Sequence, residues 1–282
     1  MFLIRLISRL PLPILYLFSD FVFIITYYLV RYRRKVVQEN LRRSFPTMET
    51  SELRKIERKF YRNLCDYGVE TLKLATISKE ELSRRLVFKE QQIPQQFARQ
   101  NQSILILASH HFNWEWLLVG ATIDYPFEMD FVYQPVRSKG FDRFIVETRS
   151  RWGAYAIKRD EVAREMVRRK GILRGIATVA DQYPGYSHDK KYHARFLNQD
   201  TVFFYGTNQL ALMTQYPTLY YQLRKIKRGY YEATPVIIGH PPYAKGSETV
   251  IENYVREVEK MINETPETWL WSHKRWKKRH VG

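Results

Sequence analysis

The run "SILILAS", residues 103–109, constrains the fold more than any other stretch of the chain. A short apolar run rich in branched side chains, bounded by small hydroxyl residues, is a strand buried within a sheet. Around it the pattern alternates. "FNWEWLLVGATI" reads as a helix, "MDFVYQP" as a strand ended by Pro135, and "GFDRFIVETRSRWG" as a helix ended by Gly153. "AYAIK" is a short strand, "DEVAREMVRRKGIL" a basic helix, and "GIATVAD" a strand entering the turn "YPGYS". "NQLALMTQY" is a helix ended by Pro217, and "TLYYQLRKI" with "GYYEATPVII" makes a hairpin through "KRG". "SETVIENYVREVEKMINE" is a helix opened by Ser247. Strand and helix alternate from 103 to 205, which predicts an α/β fold with a mixed central sheet flanked by helices. The region before it reads as helical. "VVQENLRRSF" stops at Pro46, and "TMETSELRKIERKFYRNLCDYGVETLKL" carries apolar residues at helical spacing behind Thr50 or Ser51 as a cap. Residues 86–102 read as a polar connection with a short strand around Val87.

Residues 10–30, "LPLPILYLFSDFVFIITYYLV", contain a single charge, Asp20. About 20 apolar residues suffice to cross a hydrocarbon core. Arg5 and Arg9 precede the segment; Arg31, Arg33, Arg34 and Lys35 follow it. No small-residue cleavage site follows, which argues against a removable signal peptide. Asp20 and the Pro11/Pro13 pair argue against an ordinary span, while Tyr16, Tyr27 and Tyr28 suit an interface. The expectation is an N-terminal membrane-anchoring helix, spanning at a tilt or lying in the interface. The competing expectation is a buried helix packed on the domain. The basic residues after the segment put the main domain on the cytoplasmic side. A mean hydropathy of −0.44 excludes a polytopic protein. The expected organisation is a membrane anchor over 1–30 and one α/β domain over 31–282, with 31–85 as a helical lead-in.

The formal net charge is +17. Such an excess implies acidic partners: nucleic acid, an anionic membrane surface, anionic headgroups or an acidic protein. Both ends of the chain are cationic, the C-terminus through Lys274, Arg275, Lys277, Lys278 and Arg279. The single cysteine, Cys65, excludes an intrachain disulfide framework and fits a small buried thiol in a reducing compartment.

The chemistry concentrates where "SILILAS" ends. In an α/β sheet, reactive groups gather beyond the carboxyl ends of strands, and this strand delivers Ser109, His110 and His111 there. The helix that follows offers free N–H groups to a phosphate or an oxyanion. An imidazole and a carboxylate together make a general base. Spacing leaves two pairs open. His111 and Glu115 are i,i+4 and share a helix face. His110 and Glu115 are i,i+5, about 140° apart on a regular helix, and meet only if His110 sits in the turn before it. A metal site built from His110, His111 and Glu115 needs further ligands, for which Asp181, His188, Asp189 and His193 are available. No ligand-spaced motif such as HExxH is present, which ranks metal below acid–base chemistry.

Several segments in order resemble the lipid A biosynthesis acyltransferase family of lauroyl and myristoyl type, within the lysophospholipid acyltransferase-like superfamily. "YRRKVVQENLRRSFP" (32–46) is similar to its N-terminal helix signature, and "HHFNWE" to its H-x4-E motif with His110 and Glu115 as the ends. "FVYQP" resembles the strand ending Tyr-Arg-Pro, "TRSRWGAYAI" the R-x-R-x-G segment, and "ADQ" the later acidic turn. "PETWLWSHKRWKKR" is similar to the closing Pro-Glu-x-Trp-x-Trp-x-His-x-Arg-Trp-Lys pattern. Nearly the whole chain is covered.

The resemblance implies an O-acyltransferase at the bacterial inner membrane, its catalytic domain on the cytoplasmic side. His110 deprotonates a hydroxyl of a lipid A precursor, Glu115 orients His110, and the alkoxide attacks an acyl thioester. The donor is carried on acyl carrier protein or coenzyme A, with no covalent acyl-enzyme, no cofactor and no metal. Arg149 holds phosphate or positions the acceptor, Asp181 supports the site, and Asn113 lines the substrate pocket. The partners implied are an anionic lipid acceptor, the acyl donor and the membrane surface, without nucleic acid. Two departures bear on substrate choice: Gln134 replaces the arginine of Tyr-Arg-Pro, and "YPGYSHDKKYHARFLNQDTVFFYG" is longer than the usual segment. Related members acylate other glycolipids and aminolipids. A basic nucleic-acid-binding protein is the alternative from another class, but no helix-turn-helix, zinc knuckle or RNP-like motif supports it.

Overall fold

The computed structural model describes residues 2–185 and 190–276. Helices α1 (Phe2–Ser8), α2 (Leu12–Ile24), α3 (Arg34–Ser44) and α4 (Thr50–Lys73) precede the sheet. Helix α5 (Lys79–Arg85) leads into β1 (Leu86–Phe88), and α6 (Gln92–Arg99) into β2 (Ile104–Ala108). Then come α7 (Trp114–Asp124), β3 (Glu128–Tyr133), α8 (Lys139–Arg149), β4 (Tyr155–Lys158), α9 (Val162–Arg168) and β5 (Arg174–Val179). Strands β6 (Lys191–Phe196) and β7 (Gln199–Phe204), helix α10 (Gly206–Thr214), strands β8 (Thr218–Lys227) and β9 (Tyr230–Gly239) and helix α11 (Thr249–Glu264) complete the order.

Seven strands form a mixed sheet in the order β1-β9-β8-β2-β5-β3-β4. All neighbours are parallel except β8 and β9, the hairpin expected from sequence. Its turn holds Gly229 at φ +74, where a side chain would be strained. Strand β2 is buried at every residue, with Leu105 and Leu107 in one core and Ile104, Ile106 and Ala108 in the other. Each of the leucine and isoleucine side chains contributes roughly 1.5–3 kcal/mol of burial. Two cores therefore cover the two faces, one built with α11 and the other with α7 and α2. The register aligns the carboxyl ends of β2 and β5, with Ala108 opposite Val179.

Several expectations change at the level of elements. Residues 86–102 hold a helix, α6, whose Pro94 sits in its first turn, where a missing N–H costs nothing. The long segment after the acidic turn contains an antiparallel ladder, β6–β7, apart from the main sheet. Its two turn residues, Leu197 and Asn198, have φ 49 and 61, the mirror-image turn that suits a two-residue hairpin. The expected caps are not the residues that directly precede their helices, although Ser247 Oγ accepts from the Thr249 N–H at 3.4 Å. Helix α4 is preceded by Glu49 and α11 by Glu248, without a side-chain cap bond at either.

The stretch Leu12–Leu29 is long and apolar enough to cross a membrane. Its two faces behave differently. Leu12, Leu15, Ser19, Phe23 and Tyr27 are buried, and α2 packs along α4. Ser19 donates to Asp66 at 2.8 Å and Tyr16 to Glu70 at 2.8 Å. Leu17, Phe18, Phe21, Ile24 and Leu29 are exposed on the other side. Asp20, the residue that argued against a span, pairs with Arg228 of the β8–β9 turn at 2.8 Å. The segment is thus docked on the domain by one face and presents an apolar surface with the other, a candidate membrane anchor.

Candidate active site

His110 lies just beyond β2, before α7 begins, and lines an open cleft over the carboxyl ends of β2, β3 and β5. Its carboxylate partner is Asp181, beyond β5. Asp181 accepts from the His110 ring Nδ1 at 2.6 Å and from the His110 backbone N–H at 3.0 Å. The indole of Trp269 donates to the same carboxylate at 2.6 Å. Burial pushes the Asp181 carboxyl up, but the electrostatic attraction of the His110 ring and these three hydrogen bonds outweigh it and hold it well below the ordinary carboxylate range. Because Asp181 accepts from Nδ1, that nitrogen carries the proton and Nε2 keeps the lone pair.

The expected orientation of His110 by Glu115 is therefore corrected. Glu115 is the second residue of α7, and its carboxylate is taken by Arg149 in a two-point ion pair. Nε reaches Oε2 at 2.7 Å and Nη2 reaches Oε1 at 2.6 Å. Trp114 adds a bond to Oε1 at 3.0 Å. Burial pushes the Glu115 carboxyl up; the Arg149 charge and hydrogen bonds reverse the balance and leave it lowered. The physical reason is the turn. His110 sits four residues before the helix starts and swings toward β5, while Glu115 points across the first turn of α7 to the last turn of α8.

His111 takes no part in this surface. It is buried, pairs through its backbone with Trp269, and bonds through Nδ1 to Ser109 Oγ at 2.6 Å. Burial lowers it from its ordinary 6.5 to about 4, so it is neutral at physiological pH. Asn113, expected to line the substrate pocket, is completely buried as the cap of α7. Its Oδ1 accepts from the Glu115 and Trp116 N–H groups at 3.1 Å each, and its Nδ2 donates to Glu70 at 2.8 Å. The N–H groups expected to receive an oxyanion are thus partly consumed by the cap.

Arg149 stands at a junction. A narrow apolar pocket between α7 and the sheet is lined by Leu117, Leu118, Ala121, Met129, Phe131 and Ala177. Val132, Arg149, Thr178 and Val179 line both this pocket and the His110 cleft. Gln134 and Arg159, beyond β3 and β4, flank the cleft and bond to each other at 3.3 Å. Of the further metal ligands considered from sequence, His188 and Asp189 lie outside the described residues. Among the described residues no three His, Cys, Asp or Glu side chains gather to hold a metal ion.

The C-terminal tryptophan motif is the signal that brings distant elements here. Phe112 N–H donates to Thr268 at 2.9 Å, which lays the closing segment beside the strand's continuation. Asn40 of α3 donates to the carbonyls of Trp271 and His273, and Asn63 of α4 to that of Glu267. A family model, bacterial lipid A biosynthesis acyltransferase, matches residues 1–278. The chain belongs to this acyltransferase family. A search of curated proteins finds no match. In this lipid A acyltransferase family member, the residues that sequence reasoning missed are those that hold the pair in place. Trp269 fixes Asp181. Tyr254 of α11 donates to the Ala108 carbonyl at 2.9 Å and accepts from the Ala180 N–H at 3.1 Å, tying the ends of β2 and β5 together. Trp269 was legible as part of a motif, whereas Tyr254 looked like any apolar position of an amphipathic helix.

Proposed function

We propose that the protein transfers a fatty acyl group from an acyl thioester to a hydroxyl of a lipid A precursor, with His110 as general base held by Asp181. The observation that carries this reading is the His110–Asp181 pair at the rim of a cleft that opens into an apolar pocket. Nε2 takes the hydroxyl proton as the oxygen attacks the thioester carbonyl. Asp181 fixes the tautomer and supports the imidazolium. As the tetrahedral intermediate collapses, the C–S bond breaks and the proton passes from Nε2 to the departing thiolate. The apolar pocket takes the acyl chain, and Arg149 at its mouth provides positive charge for the developing oxyanion. Glu115 is a positioning residue that holds Arg149. The donor carrier is acyl carrier protein or coenzyme A; both suit a chain of net charge +17. The setting is the cytoplasmic face of the bacterial inner membrane, to which the exposed face of α2 holds the protein.

The test is transfer in detergent micelles from acyl-thioester donors to a lipid A precursor, read by mass spectrometry. One added acyl chain with the wild type and none with His110→Ala is expected, with both proteins giving the same unfolding curve. Transfer by His110→Ala at the wild-type rate would refute the assignment.

A further inference from the structure

Arg275 belongs to the C-terminal motif and is 1% exposed. Its guanidinium lies 4.6 Å from the centre of the Phe203 ring. Among the described residues its Nε and Nη2 have no hydrogen-bond partner. Asp181 is within electrostatic reach, but its oxygens are occupied by His110 and Trp269. Burial pulls Arg275 down to about 10, so it remains cationic at neutral pH. A buried guanidinium with open N–H groups is costly and calls for an anion.

Arg275 lines a side pocket with Arg43, Tyr183, Gln199, Val202 and Trp276. Arg43, in the last turn of α3, is partly exposed and tied to Glu39 at 2.5 Å, which leaves other N–H groups of its fork available. Asp200 is the acid on the rim; it faces solvent and pairs with Arg195 at 3.3 Å. Tyr183, two residues beyond Asp181, lines both this pocket and the His110 cleft. The side pocket therefore adjoins the reaction centre.

We propose that Arg275 and Arg43 form a phosphate-binding subsite beside the cleft, holding the phosphate ester of one of the two substrates. Arginine forks match tetrahedral oxyanions through paired hydrogen bonds, and an anion in this pocket offsets the buried positive charge of Arg275 that lines it. A phosphate ester can arrive on the acceptor headgroup or on the phosphopantetheine arm of the donor. The anion site stands on Arg275, Arg43 and the pocket they line; its assignment to a substrate rests on the acyl-transfer reading.

The first measurement does not depend on transfer. The full chain in micelles is titrated with inorganic phosphate against chloride at equal ionic strength, following tryptophan fluorescence and Tm. A saturable response in the wild type, lost in Arg275→Gln and weakened in the folded surface variant Arg43→Gln, is expected. No response beyond chloride, or equal responses in wild type and both variants, would overturn the site. The second measurement is KM. With Arg43→Gln, a rise of about tenfold for a phosphorylated lipid acceptor and not its dephosphorylated form assigns the phosphate to the acceptor. The same rise for acyl-coenzyme A and not for acyl-pantetheine assigns it to the donor. KM unchanged for every pair would overturn the substrate role. Absence of all transfer by the wild type would count against the acyl-transfer reading, while the phosphate titration would still decide the anion site.

Discussion

A carboxylate buried among three donors stays ionised and stays put, and Asp181 has the His110 amide, the His110 ring and Trp269 around it. Glu115 has equally strong partners, but they belong to a different unit, with Arg149. Removing either member leaves a buried charge unpaired, at a cost of about 3–5 kcal/mol. We predict that a denaturation cycle over Glu115→Gln, Arg149→Met and the double variant gives a coupling above about 1 kcal/mol. Additive losses would show that the pair is not a unit. His111 supplies a pH prediction. It is lowered in the fold from 6.5 to about 4, so between those values the unfolded chain binds more protons than the native one. This contribution is complete above about pH 6.5 and is lost as pH falls toward 4, by up to about 3 kcal/mol. Urea midpoints across that window fall less steeply in His111→Gln; identical slopes would contradict the burial argument. At this scale residue spacing marked the polar island but left His110 and His111 both open; the family resemblance pointed to His110 and to Asp181 only as a support of the site. Asp181 is 71 positions away along the chain from His110, and only strand register brings the two together. The nearer acid, Glu115, bonds to Arg149 instead, because the chain turns before α7 begins.

At the scale of elements, buried runs and hairpins were legible because period and turn chemistry are local. SILILAS, the β8–β9 turn at Gly229 and the apolar helix faces all follow from residues within a few positions. The β6–β7 ladder was not, since its turn residues, Leu197 and Asn198, include a leucine that rarely adopts positive φ. The side chains that lock elements to each other were equally hidden. Tyr254 joins the ends of β2 and β5 through one hydroxyl. We predict that Tyr254→Phe lowers stability by about 1–2 kcal/mol and lowers kcat beyond what that loss implies, with KM little changed. An unchanged kcat would show that the strand ends hold His110 and Asp181 without it. Asn113→Ala removes two capping bonds and leaves Glu70 short of a donor. A loss of about 2 kcal/mol is expected from urea denaturation, and a loss near zero would contradict the capping role.

For the whole molecule, the apolar outer face of α2, the cationic charge and the cleft over the sheet's carboxyl edge together suit a protein that works on membrane lipids. Leu17 and Phe21 are exposed on that face and leave the core untouched. We predict that Leu17→Asp with Phe21→Asp weakens binding to anionic vesicles by at least about tenfold, since each apolar side chain inserted contributes more than 1 kcal/mol, while the unfolding midpoint stays near wild type. Undiminished flotation with vesicles would remove α2 as the anchor. Whether Asp181 aims His110 is read from single-turnover acyl transfer by Asp181→Asn. An amide keeps the shape but not the charge, so the rate is expected to fall at least about 10²-fold, with acceptor KM near wild type and an unchanged fold by circular dichroism. Transfer by Asp181→Asn at the wild-type rate would contradict that role.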